Sequence, residues 1–143
     1  MLPDSLPFFC LTCDQWYTKM RIMPERHEWS ILFYTDERGY EPVREFLGTV
    51  DRKTRARFAW SIEQLRVRNV QAREPLVRHL EGKIWELREE SQTNIYRLLY
   101  AFVDGRRILF LHGFQKKEQR TRRREIEMAQ RRLDAFQRQL GGE

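Results

Sequence analysis

NIYRLLYAFVDGRRILFLHGFQ, residues 94–115, is two strand-like runs around a turn. Both runs are rich in β-branched and aromatic residues, and Asp104-Gly105 between them suits a type I′ turn, whose two central residues need positive φ. Setting Val103 opposite Arg106 fixes the register. The pairs then run Ala101 with Ile108, Leu99 with Phe110, Arg97 with His112, and Ile95 with Phe114. A guanidinium and an imidazole are thus expected side by side on an otherwise apolar face.

Working outward, Lys83 to Arg88 reads as a strand before this hairpin, and Pro75 breaks the helical pattern upstream of it. Further back, Trp29 to Tyr34 reads as a first strand ending at the turn-like Asp36 to Gly39. Pro42 opens a short helix carrying Val43, Phe46 and Leu47, closed by Gly48. Asp51 caps a longer helix whose Phe58, Ile62 and Leu65 follow the spacing of one buried face, with Arg52, Lys53, Arg55, Arg66 and Arg68 mostly elsewhere. After Gln115 a charged run leads to an amphipathic helix with the stripe Ile126, Ala129, Leu133, Phe136 and Leu140; Thr121 is placed to cap it, and Glu125 and Glu127 suit its positive end. The predicted order is β-α-α-β-β-β-α, an α+β fold with a small, twisted, mainly antiparallel sheet, an N-terminal helical hairpin and a C-terminal helix.

Residues 1–28 carry Pro3, Pro7 and Pro24 and no sustained period, so they read as a poorly ordered extension ahead of a domain over 29–140. Met20 and Met23 just before the patterned region raise the expectation that the extension is dispensable or reflects an upstream start. At 143 residues the chain has the size of one domain. Its 27 Lys and Arg against 21 Asp and Glu favour polyanionic partners such as nucleic acid. No apolar run reaches the roughly 20 residues of a membrane-spanning helix, and no export signal is visible, which points to the cytoplasm. Cys10 and Cys13 form a lone C-x-x-C without a second ligand pair or a βαβ context, and read as two reduced thiols.

Three groups of residues can carry chemistry. Arg97 with His112 can hold a phosphate and move a proton, or can be an ordinary cross-strand pair. The run His112 to Lys117 puts Lys116 and Lys117 just past a strand end, with Gly113 admitting a close approach to the backbone. Arg88 closes Trp85-Glu86-Leu87-Arg88 and shares a strand face with Ile84 and Glu86. Strand geometry can gather all three groups at one sheet edge. The carboxylates Glu86, Glu89, Glu90 and Asp104 fall mostly at turns, so neither a metal nor another cofactor is expected. Tyr96, Tyr100 and Phe114 near such a cationic cleft fit stacking on single-stranded RNA, although rings in strands usually serve the core. The Arg-rich segment Arg120, Arg122, Arg123 and Arg124 reads either as a polyanion footprint or as a solvated helix entrance.

The runs LEGKIWELR (80–88), NIYRLLYAF (94–102), ILFLHGFQKK (108–117) and EIEMA (125–129), with EPVREFL (41–47) upstream, resemble the phage-derived, HigB-like branch of the RelE/ParE toxin superfamily. The resemblance spans about Trp29 to Phe136. It implies a RelE-like fold and a toxin of a type II toxin–antitoxin system, silenced by a cognate antitoxin. It further implies ribosome-dependent, metal-independent cleavage of mRNA, in which the 2′-hydroxyl attacks the adjacent phosphate. By position, Arg88 and Arg97 would hold that phosphate, Lys116 and Lys117 would bind backbone or stabilise the leaving oxygen, and His112 would transfer the proton. One departure is visible: the family often has Lys-Thr-Pro before the last helix, and this chain has Arg120-Thr121-Arg122. Gyrase inhibition of the ParE kind, or RNA binding without catalysis, are the alternatives.

Overall fold

The computed structural model describes residues 29–68, 77–116 and 121–141. Strand β1 (Ser30–Phe33) is followed by helices α1 (Pro42–Thr49) and α2 (Arg52–Arg68). Strands β2 (Val77–Glu81), β3 (Ile84–Ser91), β4 (Asn94–Val103) and β5 (Arg107–Lys116) and helix α3 (Arg123–Gly141) complete the chain. The α+β class and the helix and strand succession are as expected, with β2 as one strand more than the sequence indicated. The five strands lie in the order β1-β5-β4-β3-β2; all neighbours are antiparallel except β1, which runs parallel to β5. The residues before β2, Pro75 among them, and residues 1–28 with both cysteines lie outside the described residues. No helix among the described residues is long and apolar enough to cross a membrane.

Strand alternation sends two sets of side chains to opposite faces of the sheet. Leu98, Tyr100, Ile108 and Phe110 pack with Val43 and Leu47 of α1 and Phe58, Ile62 and Leu65 of α2. Leu99, Ala101, Leu109 and Leu111 pack with Ala129 and Leu133 of α3. Asp51 caps α2 as expected, accepting from the backbone N–H of Thr54 at 3.0 Å and from its hydroxyl at 2.6 Å; those bonds lower its carboxyl pKa. Gly48 does not close α1, which runs on to Thr49. Arg55 instead satisfies two of its last carbonyls, donating to Leu47 O at 2.8 Å and Gly48 O at 3.4 Å, and also reaches Val50 O just past the helix at 2.9 Å. Leu140, the last residue of the α3 stripe, is exposed rather than packed.

The hairpin register differs from the expected one in two places. Its loop has three residues, with positive φ at Gly105 and Arg106 rather than at Asp104 and Gly105, so Val103 pairs with Arg107. A bulge then leaves Leu111 unopposed between the pairs Tyr100 with Phe110 and Leu99 with His112. One slip alone would have turned every β5 side chain to the other face. Two slips restore the parity, so Arg97 and His112 share the α3 face but are offset: Arg97 stands opposite Phe114.

Gly113 lies opposite Leu98, on the face covered by α1. A Cβ there would sit 2.5 Å from Cδ2 of Phe46 and 2.9 Å from Cδ2 of Leu98, so the close approach expected at this glycine comes from the Phe46 ring. Gly113→Ala is expected to destabilise the protein by about 1–3 kcal/mol through overpacking, read as a lower urea midpoint with an unchanged slope.

Candidate functional site

On the α3 face the register brings cations from four neighbouring strands together. Arg88 of β3 is directly opposite Arg97 of β4. Lys116 of β5 lies two pairs further along, opposite Ile95. Two residues back from Arg88, Glu86 is opposite Leu99 of β4 and Arg78 of β2. Like charges placed opposite each other destabilise a sheet, and here one carboxylate relieves them only in part. Glu86 is fully buried, and its Oε1 lies 3.5 Å from Nε of Arg97, itself 3% exposed. Neither atom has a hydrogen-bond partner, while Arg97 donates from a terminal nitrogen to Tyr96 O at 2.9 Å. The other oxygen of Glu86 accepts from the Thr121 hydroxyl at 2.5 Å. Thr121 therefore ties the lead-in of α3 to the sheet instead of capping the helix, and the Arg122 carbonyl accepts the first-turn N–H of Glu125 at 3.0 Å.

Lys116 is 7% exposed. Burial lowers its pKa, with Glu86 pulling it back up and Arg97, Arg88 and Arg78 lowering it further. Burial likewise lowers that of Arg97, with Glu86 opposing. Among the described residues, no carboxylate forms an ion pair with Arg78, Arg88 or Lys116. Three cations without an ion-pair partner beside a buried fourth leave this face with an excess of positive charge.

His112 is placed differently. Its Nε2 lies 2.6 Å from Oε1 of Glu125 and its Nδ1 3.2 Å from a terminal nitrogen of Arg132, both on α3. Arg132 can only donate, so the neutral ring carries its proton on Nε2 and gives it to Glu125. Both ring nitrogens are engaged, and Phe114 stacks on the ring at 5.4 Å. Burial lowers the His112 pKa, Glu125 raises it and Arg132 lowers it. An unfolded chain thus takes up the proton first as pH falls through 6.5. The contribution of His112 to stability is present above that pH and is lost as pH falls towards the depressed folded value. A melting series between about pH 7.5 and 5 is expected to show this loss, and His112→Gln to flatten it.

Of the other expected RNA-binding residues, Phe114 lies on the site face, partly buried. Tyr96 does not: it points to the opposite face, 8% exposed, with its ring 6.2 Å from that of Phe46. Tyr100 is fully buried on that face as well. Arg122 and Arg123 are exposed at the start of α3, and Arg123 is paired with Glu81 and Glu127. Lys117 and Arg120 lie outside the described residues. Arg78 was missed because β2 was; the burial of Glu86 was missed too, although its place between inward-facing Ile84 and Arg88 was the available signal. Among the described residues, no group of three or more His, Cys, Asp or Glu is placed to hold a metal.

A five-stranded sheet braced by a helical hairpin on one face and by a C-terminal helix beside a cation cluster on the other defines a small protein of RelE-like arrangement. The chain belongs to the family described as "Phage derived protein Gp49-like (DUF891)", whose model matches residues 45–134, a family of toxin–antitoxin toxins of the RelE and HigB type. The match takes in α2, the strands β2 to β5 and most of α3, and so every member of the cluster. No curated protein matches the chain.

Proposed function

We propose that residues 29–140 form the toxin of a type II toxin–antitoxin system, an endoribonuclease that cuts mRNA on the ribosome without a metal and so stops translation in the cytoplasm. The observation that carries the reading is Arg88 opposite Arg97 with the buried Lys116 beside them and a single carboxylate, Glu86, in ion-pair range. Such a cluster is costly to the fold and is relieved by a phosphodiester. Arg88 and Arg97 hold the scissile phosphate and take up the charge that grows on its oxygens as the 2′-hydroxyl attacks. The 2′-hydroxyl gives its proton to solvent water as its oxygen bonds to phosphorus, and Lys116, whose lowered pKa eases proton release, protonates the departing 5′ oxygen as the P–O5′ bond breaks, leaving a 2′,3′-cyclic phosphate. His112 acts here by holding α3 against the sheet rather than by carrying a proton. Partners are the mRNA with surrounding rRNA and a cognate antitoxin, whose acidic segments suit the cationic face.

Induction in a bacterial host, with 5′ ends of messages mapped beside a Lys116→Met control, tests this. New ends inside translated frames only with the unaltered protein are expected. Growth arrest with intact messages would overturn the reading and move the target to gyrase.

A further inference from the structure

We infer that Arg78 forms a second phosphate subsite, so that the site grips two consecutive phosphodiesters of a single strand; this rests on the proposed nuclease reading. Arg78 and Glu86 stand opposite each other across β2 and β3, the arrangement in which an Arg–Glu pair ordinarily forms. None does, because Glu86 is turned to Arg97 and Thr121. The Arg78 guanidinium is exposed on an edge strand, within electrostatic reach of both Arg97 and Lys116 yet with no ion pair of its own among the described residues. Its strand lies two strands from that of Arg97, roughly 10 Å across the sheet, a spacing that suits the next phosphate along. The charges agree. On the strands of this face, among the described residues, Arg78, Arg88, Arg97 and Lys116 outnumber Glu86 and Glu90.

The test uses the full chain and 2′-O-methyl oligouridylates, which bind but lack the attacking hydroxyl. Wild type is expected to hold the trinucleotide, with two phosphodiesters, more tightly than the dinucleotide, with one. Arg78→Ala is expected to bind both alike. On a ten-nucleotide strand the slope of log affinity against log salt should fall by about 0.7 in Arg78→Ala, the loss of one phosphate contact. If Arg78→Ala keeps the wild-type slope and preference while Lys116→Met lowers the slope, the second subsite is overturned and the nuclease reading stands. If neither variant alters the slope, the face is no polyanion site and both fall.

Discussion

Arg97→Ala is expected to abolish toxicity and to lower stability by about 3–5 kcal/mol, because it leaves the Glu86 carboxylate buried without its ionic partner. The two losses can be separated. In Glu86→Gln/Arg97→Met neither member of the buried pair is charged, and glutamine can still accept from the Thr121 hydroxyl. This pair is expected to recover most of the stability and none of the toxicity, measured by chemical denaturation and by growth after induction. A toxic double variant would show that the reaction takes place elsewhere. A stability deficit that persisted in the double variant would mean that Arg97 supports the fold through its Tyr96 carbonyl bond rather than through charge.

Lys116→Met is expected to move activity and stability in opposite directions. Loss of the proton donor should reduce cleavage by about 100- to 10,000-fold. Removal of a buried cation that burial and neighbouring arginines disfavour should raise stability by about 0.5–2 kcal/mol. The sign follows from the depressed pKa: the folded protein binds this proton less readily than the unfolded chain, so charged Lys116 costs stability at neutral pH. In the active protein the same depression should set an alkaline limb. Cleavage should decline as pH rises through a value below the ordinary 10.5, and Lys116→Arg should move that limb upward. A Lys116→Met protein that melts lower than wild type would contradict the electrostatic argument; one that still cuts would remove Lys116 from the chemistry.

The helices and the central strands were legible because their signals are local. Phe58, Ile62 and Leu65 recur at helical spacing, Pro42 and Asp51 mark helix starts, and Asp104-Gly105 marks a chain reversal. What failed was whatever depends on one residue's worth of register. The turn holds three residues instead of two, and the bulge at Leu111 has no sequence signature, so the direct pairing of Arg97 with His112 did not survive. Their common face survived only because the two slips cancel in parity. Strand β2 is short, with only Val77 buried in it, and gives too little alternation to read. Glu86 shows another limit: a glutamate between apolar neighbours looks like an outward residue until the partners that neutralise it, Arg97 and Thr121, are known from positions 11 and 35 residues away.

The parallel pairing of β1 with β5 bears on how the chain comes together as it is made. Ser30 meets Arg107, 77 residues later (107 − 30), whereas β3, β4 and β5 meet through short reversals. Contacts so far apart in sequence form late. Synthesis delivers β1 and the helical hairpin first, and they wait for the strand on which β1 closes. Lys116 and Thr121 follow the rest of the sheet in sequence, so the cation face is completed only once β5 and the lead-in of α3 have been made. The interval before β5 and α3 dock is the one in which a partner present during synthesis can reach the face before it closes.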